Sequence, residues 1–166
     1  MMIRRLTDGM VLNRSFWLCL LLALVALTAD QLIKLWVVGL SGGDPMRIEL
    51  LPFLNLVMAW NRGVSFGFLH DSALGPWPLL ALAVGFSVFL VIWMARAQQV
   101  LLRLALALMI GGALGNGIDR VRWEAVADYI DFFIGGWHFW AFNLADAFIS
   151  VGAALLIADS LFRRES

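Results

Sequence analysis

The chain has 166 residues, 62% of them apolar and 14% charged, with a formal net charge of zero. Soluble domains are roughly half apolar and a quarter charged, so this composition describes one integral membrane domain, residues 1–166. The balanced charge carries no nucleic-acid signal, the lone Cys19 rules out an internal disulfide, and His70 and His138 lie in no ligand-spaced motif. No metal, nucleotide or other cofactor is therefore expected.

A basic lead (Arg4, Arg5 and Arg14 against Asp8) precedes a continuous apolar run from Phe16 to Ala29. A cleaved signal peptide also begins this way. No clean small-x-small site precedes Asp30, however, and Trp36, Val37 and Val38 prolong the run. Residues 15–38 are expected to form an uncleaved first span, long enough for a ~30 Å hydrocarbon core. Cys19 follows Phe16, Trp17 and Leu18, which is no lipid-attachment box, and a packed thiol is expected.

The next stretch changes character. Ser41 to Pro45 reads SGGDP, a turn cluster, and Met46 to Leu50 alternates apolar and polar, which predicts a half-buried strand. Further β-leaning pieces lie at Leu54 to Trp60 and Ser65 to Leu69, with turn chemistry at Asn61-Arg62-Gly63 between them. A small sheet on the membrane surface is expected over about 44–70. The second span, 77–94, opens with Pro76-Trp77-Pro78, and Arg96, Gln98 and Gln99 make a tight polar loop. The third span, 100–116, ends with Gly111 and Gly115 at a spacing that lets membrane helices approach closely. The fourth, 141–161, carries Ala145, Gly152 and Ala153 and is followed by Arg163-Arg164.

The expected fold class is thus a mainly α membrane protein, with four transmembrane helices and a small extracytoplasmic β-sheet between helices 1 and 2. Arg4, Arg5, Arg14, Arg96, Arg103, Arg163 and Arg164 fall on the side of the termini, against Lys34, Arg47, Arg62, Arg120 and Arg122 opposite. The positive-inside rule then makes both termini cytoplasmic and turns the sheet outward.

The segment from Gly111 to Asp146 gathers most of the chemistry: Asp119, Arg120, Arg122, Glu124, Asp128, Asp131 and Asp146, with Asn116 and Asn143. Ionisable groups at the ends of membrane helices are costly and mark functional sites. Asp128 lies past the outer end of the third span and Asp146 about one turn into the fourth. Those helices are antiparallel neighbours, so the two acids can meet. Two carboxylates in one apolar site cannot both ionise, which leaves one acid and one base to activate water against a peptide carbonyl.

Plainer roles compete for several of these residues. Asp119 and Asp131 have the residue type of helix caps. Asp146 lies inside its helix, on the face of Asn143, where a cap is not expected. Asn116 and Arg120 share a helix face, and Arg120 either holds a substrate carbonyl or headgroup or pairs with Asp119. Asp30 and Lys34, four apart, fit a structural ion pair, and Asn61 is by itself an ordinary turn residue.

Five segments together resemble the lipoprotein signal peptidases, the type II signal peptidases of bacteria. They are Thr28-Ala29-Asp30-Gln31 with Lys34; Trp60 to Phe66; Gly112 to Asn116 with Asp119-Arg120; Val126 to Tyr129; and Phe142 to Asp146. The resemblance implies an aspartic endopeptidase that removes the signal peptide of a diacylglyceryl-modified prolipoprotein, cutting just before the modified cysteine. Carried over by position, Asp128 and Asp146 are the catalytic dyad. Asp30, Asn61, Asn116, Arg120 and Asn143 support the pocket and bind substrate, and Asp119 buttresses the fold. A monomer in the bacterial cytoplasmic (inner) membrane is expected, working among membrane lipid without nucleic acid. Ala127 and Tyr129 depart from the family's usual flanks of the first aspartate, which makes Asp131 a rival for the dyad, and Arg62 stands where a small residue is usual. A proton-coupled carrier using Asp30, Asp128 and Asp146 is the alternative from another class, although no internal repeat supports it. A membrane scaffold with an exposed sheet is a third.

Overall fold

Among the described residues, four stretches are long and apolar enough to cross a membrane. In the computed structural model, which describes residues 9–63 and 76–164, each of them is one helix. They are α1 (Arg14–Ser41), α2 (Trp77–Arg96), α3 (Val100–Trp123) and α4 (Leu144–Arg164). The ends follow local chemistry. Asn13 caps α1 by accepting the Phe16 N–H at 3.1 Å, and a proline sits in the first turn of α2, where a missing N–H costs nothing.

Helix α3 is the centre of the bundle and packs on the other three, so most of its apolar stretch is buried. The others leave Leu24, Leu82, Val88 and Ile157 exposed, as a lipid solvent permits. Small residues set the spacing: Gly111 meets Ala23 and Ala26 of α1, and Gly112 meets the backbone of Ala145 on α4. Cys19 is a packed thiol in the core of Phe16, Leu90, Met94, Leu106 and Ile110.

The far end of the bundle is tied by Arg103. Counted by sequence among the topology-setting arginines, it is wholly buried. Its guanidinium donates to Ala97 O and Val11 O, both at 2.8 Å, and to Asn13 Oδ1. It works there as a clamp between the chain's lead and the α2–α3 loop.

The sheet is antiparallel with strands in the order β1 (Met46–Leu51), β2 (Leu54–Asn61), β3 (Val126–Ile134) and β4 (Trp137–His138). Half of it therefore comes from the connection between α3 and α4, where no strand was expected. The aspartates in Val126-Ala127-Asp128-Tyr129-Ile130-Asp131 break the apolar pattern that marks a strand, although the β-branched and aromatic residues around them favour one. The expected piece at Ser65 to Leu69 lies outside the described residues. Strand β1 is present but not half-buried: it is the sheet edge, and Ile48, Leu50 and Leu51 are all exposed. Gly135 and Gly136, with φ of 58° and 82°, supply the left-handed backbone that the tight β3–β4 turn requires. Val37, Met58, Ala127 and Tyr129, with Leu56 and Trp60 beside them, fasten the sheet to the end of α1.

Candidate active site

The first turn of α4 is held by three elements. A helix start leaves N–H groups without partners. Here Leu144 N donates to the Tyr129 hydroxyl (3.1 Å), Ala145 N to Asp30 Oδ1 (2.9 Å) and Asp146 N to Asn143 Oδ1 (3.0 Å). Asp146 Oδ2 in return accepts the Asn143 N–H at 3.2 Å. This is a reciprocal capping box. The helix begins at Leu144 rather than Ala141, so Asp146 falls in its first turn. Contrary to expectation it does take part in capping, with one oxygen, while Oδ1 accepts from Asn116 Nδ2 at 2.8 Å.

Asp128 comes to the same place from the sheet. Its Oδ1 accepts from Asn143 Nδ2 at 2.7 Å and its Oδ2 from Asn61 Nδ2 at 3.0 Å. Asn143 thus touches both carboxyls, through its amide on one and its backbone on the other. Asn61 is both a turn residue and a partner: its Oδ1 accepts Gly63 N at 3.2 Å, which turns its N–H toward Asp128. Burial, then the nearby charge of Asp146, push the Asp128 carboxyl up to about 7, against the lowering effect of Asn61, Asn143 and Lys34. Such a group changes protonation near neutral pH, as a general acid or base must.

Behind the pair lies an ion cluster. Lys34, wholly buried, meets Asp30 Oδ2 at 2.9 Å and Asp119 Oδ2 at 2.7 Å. The Asp30–Lys34 pair is present as spaced, and Asp119 completes it. Gln31 Nε2 bridges Asp119 Oδ1 (2.8 Å), Gly115 O (3.1 Å) and Asp30 Oδ2 (3.3 Å). A Cβ on Gly115 would lie 2.5 Å from Asp30 Oδ2, so only glycine leaves room for that carboxylate. Asp119 caps no helix; it sits within α3 and accepts Ala127 N from β3 at 3.3 Å. Arg120 donates to Asn116 O at 2.9 Å and lies within electrostatic reach of Asp119, Asp146 and Asp128.

Asp131 belongs to a different cluster and is no cap either. Its Oδ2 accepts from Asn55 Nδ2 at 2.7 Å and lies 2.9 Å from His138 Nδ1. Asn55 and Asn61 are on the same side of β2, since Leu56 and Trp60 face the core on the other. Asp128 and Asp131 therefore share a face of β3, although an odd spacing should separate them. A register shift opposite Leu56 and Ala59 takes up the odd residue, and there Tyr129 N and Ile130 N both donate to Phe142 O. Asp131 is thus displaced along the strand, beside His138. Arg62 is exposed.

The structure brings Asp30, Asn116, Asp119, Asn143, Asn61 and Arg120 around Asp128 and Asp146, and leaves Asp131 apart. Two further residues of this cluster carry weaker signals in the sequence: Lys34, a lysine inside an apolar span, and Tyr129, whose hydroxyl no motif announces.

The sequence model for signal peptidase (SPase) II matches residues 22–162. A lipoprotein signal peptidase of Caulobacter vibrioides is 40% identical over 158 residues, 93% of each chain. One of Shewanella amazonensis is 46% identical over 151 residues, 89% of this chain and 86% of that one. Two solved bacterial membrane enzymes superpose with TM-scores of 0.76 and 0.74 at 29% and 28% identity, covering 89% and 86% of this chain and 89% and 92% of theirs.

Proposed function

The chain belongs to the signal peptidase II family, and from that premise we infer that Asp128 and Asp146 are its catalytic dyad. The substrate is a diacylglyceryl-modified prolipoprotein, cut just before the lipid-modified cysteine. The observation that carries this reading is Asn143, whose amide and backbone N–H hold the two carboxyls at one spot, one of them with its proton retained to about pH 7. One carboxyl deprotonates a water that attacks the scissile carbonyl, and the other protonates the departing amine. Asn61, Asn116 and Asn143 hold the dyad, Asp30 and Asp119 anchor it to α1 and β3, and Arg120 is the cation available to a substrate carbonyl or headgroup. No step calls for a metal.

An apolar hollow of about 550 Å³, whose wall takes in Phe142, next in the chain to Asn143, with Phe53, Phe132, Phe139 and Trp140, suits the lipid-bearing end of the substrate. The arginine distribution supports cytoplasmic termini and a dyad toward the outer face of the bacterial inner membrane. A carrier is not favoured, because the relatives are peptidases.

The test is cleavage of a diacylglyceryl-modified precursor by purified protein in detergent, with and without EDTA. Wild type is expected to cut equally in both. Asp128→Asn and Asp146→Asn are expected to be folded and inactive, and Asp131→Asn active. An inactive Asp131→Asn beside an active Asp128→Asn would move the dyad. Loss of wild-type cleavage in EDTA would remove the metal-free mechanism.

A further inference from the structure

The cation of the buried cluster behind the dyad, Lys34, has no part in the mechanism so far. Lys34 donates to three acceptors: Asp30 Oδ2, Asp119 Oδ2 and, at 2.9 Å, Asn116 Oδ1. Two carboxylates more than balance its charge, and its third N–H, buried with the rest, is taken up by a neutral amide oxygen. An ammonium can only donate, whereas a primary amide has a donor end and an acceptor end of nearly the same shape. Lys34 tells them apart. With Oδ1 of Asn116 held by the ammonium, Nδ2 is the end that faces Asp146.

The neighbouring amide is fixed in the same sense. Asn143 Oδ1 accepts the Asp146 N–H, so its Nδ2 serves Asp128 and, at 3.2 Å, Asn116 Oδ1. Both carboxyls accept an N–H on each oxygen, but Asp146 stands in the first turn of α4, where the helix dipole favours negative charge. Asp128 sits on a strand without such a terminus. Around the pair stand Asp30 and Lys34 from α1, Asp119 and Arg120 from α3, and Tyr129 from β3.

We propose that Lys34 is a positioning residue for the dyad: by orienting Asn116 it makes Asp146 the ionised base and leaves the shared proton on Asp128. This rests on the dyad reading above. In the step it implies, the water oxygen bonds to the scissile carbonyl carbon as a water proton passes to Asp146. When the C–N bond breaks, the proton on Asp128 passes to the departing nitrogen. The products are a carboxylic acid and an amine, and the proton then returns from Asp146 to Asp128.

The test is the pH profile of kcat/KM for the purified full chain on a diacylglyceryl-modified precursor. Lys34→Met combined with Asp30→Asn removes one charge of each sign, so the net charge of the buried cluster is kept, and the new amide oxygen can still accept Ala145 N. This variant is expected to lose about ten-fold or more in kcat with KM within about two-fold, and its acidic limb should move up by about one pH unit. Asn116→Ala should move the same limb. Adding it to the Lys34 variant should move the limb no further, because both act on one contact.

A folded Lys34 variant with its limb unmoved, or displacements that add, would make Lys34 merely structural and overturn the proposal. If that variant does not fold, Asn116→Ala decides alone: an unmoved acidic limb overturns it. An Asp146→Asn protein that cleaves like wild type would instead overturn the dyad reading.

Discussion

Asp128 and Asp131 lie three residues apart on one strand, share a face and each receive an N–H from an asparagine of β2, yet their carboxyls are driven in opposite directions. For Asp128, burial and then Asp146 raise it to about 7. For Asp131, burial also pushes upward, but the hydrogen bonds of Asn55 and His138 and the charges of His138 and Arg47 outweigh it and hold the group below its ordinary value. The amide partner is the same in kind, so it does not decide. Burial acts first and upward on both; the charge of Asp146 then adds to that rise at Asp128, whereas the hydrogen bonds of Asn55 and His138 and the charge of Arg47 reverse it at Asp131. One strand thereby carries one carboxyl raised to about 7 and, next to it, one held below its ordinary value beside the β4 hairpin.

The largest expected effect comes from breaking the first arrangement. Asp128→Asn should reduce cleavage by about a thousand-fold or more, while its melting temperature at pH 8 stays equal to that of wild type or rises, because a poorly solvated charge is gone. A clear fall in melting temperature, measured by scanning fluorimetry, would make Asp128 structural.

The next effect is in pH. Because the folded value of Asp128 is raised, its contribution to stability is full below the ordinary carboxyl range and is lost as pH rises to about 7. Cleavage should fall as pH rises through the same point, since the acid then lacks its proton. A wild-type profile flat from pH 6 to 8 would contradict this assignment.

The smallest effect concerns the neighbour. Asp131→Asn or His138→Ala should cost about 0.5–1 kcal/mol in unfolding experiments and change cleavage less than about three-fold, because this pair is partly exposed and outside the proposed chemistry. Asp131 has a depressed value, so its contribution is present above the ordinary carboxyl range and is lost as pH falls. Asp131→Asn should therefore flatten the acid side of the stability curve. A loss of cleavage as deep as that of Asp128→Asn would erase the contrast.

Much of this could be read in advance. The four helices follow from apolar runs bounded by Asn13, Pro78 and polar loops, and the segments around Asp128 and Asp146 carried the resemblance. Strand β3 was missed because its aspartates, buried by partners far away in the chain, look in a window like a polar connection. The capping by Asp146 was missed because it depends on where α4 begins, which is set by Asn143, Tyr129 and Asp30 together. Lys34 looked like half of a helical ion pair, since neither Asp119 nor Asn116 is near it in sequence.

The sequence by itself determined the spans, the small sheet of the α1–α2 connection, the family and the candidate acids, because a bilayer imposes length and apolarity on each segment separately. Only the tertiary structure decided which acids meet, which way each amide points and which carboxyl sits among like charges. Those outcomes rest on contacts such as Asp30 with Ala145, 115 residues apart. In a buried site a distant neighbour at hydrogen-bond range outweighs anything adjacent in the chain.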